Sequence, residues 1–277
     1  MSIMALNTDD SDATPDAEFE TLRIDRTDSV ARVVLDRPDD LNTITPTLLD
    51  ELSAAIDDLD ADNDVRCLLL TGAGDRAFSA GADLSALAAD GMTGPDGVEL
   101  ARHGQQTFGK LEACDTPVVA AIDGFCLGGG MELATAADLR IATDGSMFGQ
   151  PEHDLGLLPG WGGTQRLPNL IGESRAKEII FTGGRYAASE MADYGFLARV
   201  VEGDEFETVA MEHAEQLAAG PPLAQKYTKR AMRAGRDDTD AGLEIEAHAF
   251  GQLLDTEDFS EGVNAFSNDE EPEFTGE

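Results

Sequence analysis

Two short apolar segments, CLLL at positions 67–70 and VVAAI at 118–122, limit most strongly what this chain can fold into. Their length and composition are typical of buried strands. A helical pattern, LLDELSAAIDDL, precedes the first segment, and another covers roughly residues 98–113, between the two. Because strands that alternate with helical runs indicate a sheet covered by helices, the sequence predicts an α/β fold.

The part of the chain before these segments carries local signals of its own. The stretches FETLRID and VARVVLD, joined by the turn-like RTDS, predict a β-hairpin over residues 19–36. Thr45 is a suitable N-cap for the first helix, and Pro46 suits the first helical position. We therefore expect that helix to begin at Pro46.

The two ends of the chain differ from the alternating part. The first 16 residues are acidic and show no period, so we expect a disordered lead-in over residues 1–16. Beyond about Ser189, helical patterns separated by Gly and Pro dominate. We predict a core over residues 17–200 and a helical C-terminal region with an acidic tail over residues 201–277.

Carboxylates far outnumber basic side chains in this sequence. The 277 residues include 55 Asp and Glu against 19 Lys and Arg, which gives a formal net charge of −36. The apolar periodicity survives, so this charge indicates a folded protein whose self-repulsion is screened in strong salt. We therefore expect a salt-adapted protein. The charge also argues against nucleic acid as a partner, because no basic face is available for phosphates.

The cysteines and the N-terminus bear on location and metal binding. Cys67, Cys114 and Cys126 form no close pair and have no metal-ligand spacing, so we expect buried thiols in a reducing cytosol and no metal site. The N-terminus lacks the basic and apolar regions of a signal peptide, and no segment reaches membrane-spanning length. We expect a cytoplasmic protein with no membrane partner.

Three consecutive glycines at positions 128–130, in FCLGGGMELA, stand directly against a helical pattern. One interpretation is a tight strand-to-helix turn in which backbones pack closely. The other is a helix whose first N–H groups are open to a ligand oxygen. We read VVAAI as leading directly into these glycines, and CLLL as leading into a loop that contains SAGAD. Two neighbouring turns of this kind would supply converging N–H groups for an oxyanion.

Two glutamates lie close to these glycines in the sequence. Glu132 falls in the first turn of the expected helix, and Glu152 follows Pro151 in a later loop. Taken singly, each has an ordinary explanation, as a partner of the helix dipole or as a solvated turn charge. Their uncharged, Gly-rich surroundings favour desolvation, which moves a carboxyl pKa toward the range for proton transfer. Two carboxylates across one pocket can divide acid and base roles.

At this point the sequence resembles a known family. AFSAGADL, PVVAAIDGFCLGGGMELA and FGQPEHDLGLLPGWGGTQRL are similar to the signature segments of the enoyl-CoA hydratase, or crotonase, family. The similarity runs from about Phe19 to Phe266. The resemblance implies a spiral of strand–strand–helix units with a helical C-terminal region, assembled as trimers that often pair into hexamers. It also implies an acyl-CoA thioester as substrate and no cofactor, since coenzyme A is part of the substrate.

The resemblance also assigns roles to residues. It implies that the N–H groups of Ala82 and Gly129 form the oxyanion hole for the thioester. Glu132 would orient and deprotonate the water that adds at C3, and Glu152 would deliver a proton to C2. It further implies that Gly160 closes the water site. The segment that lines the CoA channel would consist of Ala82, Asp83, Leu84 and Ser85.

Two other functions stay open within this resemblance. Isomerase-like members commonly keep only the carboxylate that matches Glu152, so the presence of both favours hydration over migration of the double bond. An acyl-CoA binding protein without turnover is the second alternative. The chain also departs from the family where RPDDLN lacks the usual lysine near the CoA phosphates. Arg37 or a bound cation would have to replace it.

Overall fold

Two β-sheets surrounded by helices make up the protein in a computed structural model, which describes residues 19–87 and 91–277. The expected lead-in over residues 1–16 lies outside the described residues. The strands are β1 (Leu22–Thr27), β2 (Val30–Leu35), β3 (Cys67–Gly72), β4 (Ala77–Ser79), β5 (Val118–Ile122), β6 (Phe125–Leu127), β7 (Leu139–Thr143), β8 (Met147–Gly149), β9 (Tyr186–Ala187) and β10 (Arg199–Val201). The helices are α1 (Pro46–Ala61), α2 (Leu84–Leu87), α3 (Gly94–Ala113), α4 (Gly129–Ala136), α5 (Gly163–Ile171), α6 (Glu173–Thr182), α7 (Ala188–Asp193), α8 (Phe206–Ala218), α9 (Pro222–Gly235), α10 (Thr239–Leu253) and α11 (Glu257–Asn268). Short 3-10 helices span Pro38–Asp40 and Pro151–Leu155.

The larger sheet confirms the predicted hairpin and the two predicted buried strands. Its strand order is β1-β2-β3-β5-β7-β10. The β1–β2 pair is antiparallel, whereas the other neighbouring pairs are parallel. Because parallel neighbours need a crossover, helices lie between them in the chain. This gives the α/β architecture that the alternation of strands and helices predicts.

The smaller sheet corrects one part of the sequence analysis. Its order is β4-β6-β8-β9, and β4 and β6 occupy segments that were assigned to a loop and a turn. Each has only three residues, which is too short to show a periodic pattern. The chain therefore repeats a unit of one strand in each sheet followed by helix, as in β5–β6–α4. This repetition confirms the predicted spiral.

Helices bury both faces of the larger sheet. Leu68 and Leu70 of β3 belong to the core that includes α1, whereas Cys67 and Leu69 pack in a second core with α8. Because successive side chains of a strand point to opposite faces, burial of both faces requires an uninterrupted apolar run. As predicted, α1 begins at Pro46, and the Thr45 hydroxyl caps it by accepting from the Leu48 N–H at 3.1 Å.

The helical C-terminal region ends in a segment that is tied to the rest of the protein. Helices α9 and α10 pack against each other. The carboxylate of Asp258 on α11 accepts from the N–H of Thr275 at 2.7 Å, and Arg66 donates to the carbonyl of Phe274 at 2.6 Å. The acidic end of the chain is thus anchored by hydrogen bonds. Among the described residues, no helix has both the length and the apolar character that crossing a membrane requires.

Candidate active site

Two backbone turns meet at one end of the smaller sheet. Strands β4 and β6 are parallel neighbours, so the segments that follow them lie side by side. Ile44 pairs with the first turn: its N–H donates to the Gly81 carbonyl at 2.8 Å, and its carbonyl accepts from Asp83 at 3.0 Å. In this bridge the intervening residue, Ala82, points its own N–H to the opposite side.

The Ala82 N–H lies beside the start of α4. A carbon atom added to Gly129 at the Cβ position would lie only 3.4 Å from the Ala82 nitrogen, and one added to Gly81 would lie 3.3 Å from the Gly129 nitrogen. Within the described part of the chain, neither the Ala82 nor the Gly129 N–H donates a hydrogen bond. The predicted pair of adjacent, open amides is therefore present at a helix N-terminus.

The glycines of the triplet are required by backbone angle and by close packing. Gly128 has φ 51° and ψ −125°, a conformation that residues with a side chain rarely adopt. At Gly129, an added Cβ would lie 2.3 Å from Cζ3 of Trp161. The Trp161 ring also packs edge-on against Phe108, with 5.7 Å between centroids. Both interpretations of the triplet thus hold, since the close turn also exposes the helix N-terminus.

Glu132 is held in a buried position by two main-chain amides. Its side chain projects from α4, all eight residues of which are buried. One carboxylate oxygen, Oε1, accepts from the N–H of Trp161 at 2.7 Å and of Gly163 at 2.8 Å. Burial raises the pKa of Glu132 to about 7; Glu152 also raises it, and the two amides oppose the rise. Glu132 is therefore poised to exchange a proton near neutral pH.

Glu152 approaches the same helix N-terminus from the other side. It lies on the 3-10 helix Pro151–Leu155, and its Oε1 is 3.0 Å from the point that a Cβ on Gly128 would occupy. With its amide oriented by its hydrogen-bond partners, the fully buried Gln150 donates to both carboxylate oxygens, at 3.0 and 3.1 Å. Burial also raises the pKa of Glu152, and its neighbour His153 opposes that rise.

Comparison with known proteins shows the family of the chain. A family model described as "Enoyl-CoA hydratase/isomerase" matches residues 25–277. The chain belongs to the enoyl-CoA hydratase/isomerase family.

Individual relatives match nearly the whole chain. It is 38% identical over 250 residues to a short-chain-enoyl-CoA hydratase of Clostridium acetobutylicum, which covers 90% of this chain and 95% of the relative. It is 36% identical over 249 residues to a crotonyl-CoA hydratase of Syntrophomonas wolfei, which again covers 90% and 95%. A crystal structure of an enoyl-CoA hydratase from Bacillus anthracis superposes with a TM-score of 0.89, at 38% identity, covering 93% of this chain and 100% of that one.

The family resemblance also assigned residues around this centre, Asp83, Leu84, Ser85 and Gly160, and their contacts in the structure are local. Asp83 accepts from the N–H and the hydroxyl of Ser85, at 2.9 and 2.6 Å, and Leu84 is largely exposed. These residues form a rim beside Ala82. Gly160 precedes Trp161, and its carbonyl accepts from Gln105 on α3 at 2.8 Å.

The basic side chain that was expected to replace the family lysine is already paired. Arg37 contacts Asp40 at 2.7 Å and Asp83 at 3.4 Å, and only 18% of its side chain is exposed. Its charge is therefore shared with two carboxylates before any phosphate arrives. Arg37 instead ties the start of the chain's first 3-10 helix to the rim beside Ala82.

Two contacts of the glutamates were not anticipated from the sequence. The amides of Trp161 and Gly163 bind Glu132 from about 30 positions further along the chain, and Gln150 binds Glu152. The position of Gln150, a polar residue at the end of the apolar segment MFG, was the available signal. No comparable signal exists for main-chain donors, because every residue except proline has an N–H.

Proposed function

We propose that this family member is an enoyl-CoA hydratase, which adds water reversibly to a 2-enoyl-CoA to give a 3-hydroxyacyl-CoA. The observation that carries the proposal is the pair of carboxylates, the buried Glu132 and the partly buried Glu152, near the open amides of Ala82 and Gly129. The names of the Clostridium and Syntrophomonas relatives, and of the Bacillus anthracis structure, support the same activity.

In the proposed reaction the thioester oxygen accepts from the N–H groups of Ala82 and Gly129. These donors stabilise the negative charge that develops on that oxygen when C3 is attacked, and the N-terminal end of α4 adds to the effect. The residues at the rim, Asp83, Leu84 and Ser85, together with Gly160, would complete the channel for the substrate.

The two carboxyl groups would act in opposite protonation states. Ionised Glu132 takes a proton from water while the water oxygen bonds to C3, and protonated Glu152 gives its proton to C2. The sum is one water added across the double bond, after which the two groups exchange protons with solvent to return to their starting states. Burial raises the pKa of both carboxyls, to about 7 for Glu132, which brings proton uptake and release within reach near neutral pH.

The decisive experiment is turnover of crotonyl-CoA in water enriched in oxygen-18, in concentrated KCl. We expect 3-hydroxybutyryl-CoA that carries one heavy oxygen, and a loss of about 10²–10⁴-fold in kcat for Glu132→Gln with substrate binding retained. Conversion of a 3-enoyl-CoA to a 2-enoyl-CoA without heavy oxygen would identify an isomerase. Tight binding that Glu132→Gln does not alter, with no turnover, would identify a binding protein.

The same scheme uses no metal or redox cofactor. The amides polarise the thioester and the carboxylates carry the protons, so the protein itself supplies the groups that every proposed step needs. We expect full activity after exhaustive treatment with EDTA.

We further propose that the chain assembles as a trimer, or as a hexamer of two trimers, in a salt-rich cytoplasm. The C-terminal helices support assembly because they expose large apolar side chains, among them Phe250 at 67% and Phe266 at 90%. The net charge of −36 supports salt dependence. Light scattering in molar KCl should give three or six times the chain mass, and transfer to about 0.1 M salt should dissociate and inactivate the protein. An intact, active oligomer in dilute buffer would contradict this proposal.

A further inference from the structure

A partly buried ion pair lies beside the loop that holds Glu132. The guanidinium of Arg166, on α5, donates through Nε to Oε2 of Glu112 on α3 at 2.8 Å. The side chains are only 14% and 20% exposed, respectively. Exposed ion pairs contribute little, whereas solvent screens this partly enclosed pair less.

Arg166 also contacts the loop itself. Its Nη1 donates to the carbonyl of Trp161 at 3.0 Å, and the N–H of the same residue donates to Glu132. The peptide group on one side of Trp161 thus binds the carboxylate, and the one on the other side binds the guanidinium. A sideways shift of Arg166 would move the amide that fixes Glu132.

The loop lies close to the Arg166 guanidinium at Gly162. Gly162 has φ 114°, and a Cβ at this position would lie 2.1 Å from Nη1 of Arg166. The backbone angle favours glycine here. A side chain at Gly162 would also displace the Arg166 guanidinium from its present position.

The charges around Glu132 come from several elements. Glu152, on the 3-10 helix, raises the pKa of Glu132, and Arg166, on α5, lowers it. Burial acts to raise the pKa of Glu112, but its hydrogen bond to Arg166 and the positive charges of Arg166 and Arg236 hold it below its usual value. Arg236, at the end of α9, contacts the other oxygen of Glu112. Glu112 therefore stays ionised and offsets part of the positive charge of Arg166.

We propose that Arg166 is a positioning residue that holds the Trp161 loop on Glu132, and that Glu112 sets how much of the Arg166 charge reaches that carboxylate. This inference rests on the proposed role of Glu132 as the group that deprotonates water. It gives the pair two separable effects: the hydrogen bond to the loop depends on Arg166 alone, and the local charge depends on both residues.

The test compares two charge-neutralising substitutions, Arg166→Gln and Glu112→Gln, by the pH dependence of kcat for hydration of crotonyl-CoA. Loss of the positive charge makes Glu132 harder to ionise, so the acidic limb of Arg166→Gln should move up by about 1 pH unit. Loss of the negative charge exposes Glu132 to the full charge of Arg166, so the limb of Glu112→Gln should move down by about 0.5 unit. We expect the two variants to shift the acidic limb in opposite directions. Damage to packing alone would not reverse the direction of the shift with the sign of the charge that is lost.

Further variants separate charge from geometry. Arg166→Lys keeps the charge but not the forked contact, so it should restore the position of the acidic limb while kcat stays reduced. Arg175→Gln removes an exposed guanidinium that pairs with Glu178 on α6, and it should leave the profile unchanged. If Arg166→Gln does not fold, the downward shift of Glu112→Gln still decides the matter. An upward shift or no shift in Glu112→Gln would overturn the proposal.

A second readout does not require turnover. The infrared band of the protonated Glu132 carboxyl, isolated as the difference between wild type and Glu132→Gln, can be titrated in each background. We expect the same opposite shifts. Absent hydration by the wild-type protein would refute the proposed function, whereas unshifted infrared titrations would refute the role of this ion pair.

Discussion

The two glutamates of the site are held by regions of opposite character. Glu132 projects from α4, which is buried along its whole length, and main-chain amides hold its carboxylate. Glu152 lies on a 3-10 helix that leads into an exposed run over residues 153–158, and the side chain of Gln150 holds its carboxylate. Only a substitution by proline removes a backbone donor, whereas most substitutions remove a side-chain donor. The surroundings of Glu132 are therefore fixed by the fold, and those of Glu152 can be adjusted by single residues.

This difference matters for the proposed hydration, in which the two groups have unlike tasks. The group that orients water must hold one geometry, because its target is a small molecule with no other anchor. The group that delivers a proton to C2 contacts a substrate already held by its thioester. The region around Glu132, which backbone amides fix, thus holds the group that needs the more exact geometry. Substitutions in the two regions should therefore differ in the size and type of their effect.

The largest effect is expected from neutralising Glu132. Glu132→Gln keeps an oxygen to accept from Trp161 and Gly163, but it cannot take a proton, so kcat should fall by about 10²–10⁴-fold. The same change should stabilise the fold at pH 8. The pKa of Glu132 is about 7 in the folded protein against an ordinary 4.5, so stability is complete below pH 4.5 and is lost as the pH rises through 7.

Chemical denaturation at two pH values measures this stability effect. At pH 8 the unfolding free energy of Glu132→Gln should exceed that of wild type by on the order of 3 kcal/mol, and the two proteins should converge near pH 4.5. Glu152→Gln should give a smaller gain at pH 8, since its region is less enclosed. An equal or larger gain at Glu152 would remove the contrast between the two regions.

A methyl group beside Glu132 should have the next largest effect. In Gly163→Ala the new carbon would lie 3.0 Å from Cγ and 3.1 Å from Oε1 of Glu132, so the carboxylate must shift while the chemistry of every group is kept. We expect a loss of about 10–100-fold in kcat with little change in KM. Gly145→Ala, in the turn before β8, meets nothing within 4 Å and serves as the control. Unchanged kcat in Gly163→Ala would show that the region around Glu132 accommodates the methyl group without loss of activity.

Removal of the side chain that holds Glu152 should shift a pKa. Gln150→Met has similar volume but donates no hydrogen bond to the ionised carboxylate, so the pKa of Glu152 should rise further. Because Glu152 delivers its proton when protonated, the basic limb of the kcat profile should move to higher pH by about 0.5–1 unit. The acidic limb, set by Glu132, should stay in place. Movement of both limbs together would show that the two regions respond as one.

The sequence alone predicts the parts of this site that depend on local signals. The cap at Thr45, the strands around CLLL and VVAAI, and the helix that starts at the glycine triplet are all visible in neighbouring residues. The placing of Ala82 beside Gly129 was implied by the family resemblance, whereas the strands that directly precede these residues, β4 and β6, were not predicted.

What the sequence does not predict depends on contacts between distant residues. The three-residue strands β4 and β6 are stable only because they pair with each other and with β8, so no local pattern marks them. The hydrogen bonds that fix the Glu132 carboxylate are a similar case, because their donors are backbone groups about 30 residues away. The ion pair between Arg166 and Glu112 joins residues that are 54 positions apart, on two helices whose packing could not be predicted from the sequence.

The smallest effect should come from the exposed part of the Glu152 region. The ring of His153 is exposed and stacks on Phe181, with centroids 5.7 Å apart, and its charge lowers the pKa of Glu152. In His153→Phe the stacked ring is kept and the charge is lost, so the basic limb should rise by about 0.1–0.3 unit at the lowest salt concentration in which the protein stays active. In molar KCl the shift should vanish, because salt screens a charge that solvent can reach. A shift of a full unit that persists in molar KCl would mean that Glu152 is as closed to solvent as Glu132, and the two regions would then differ only in the source of their hydrogen bonds.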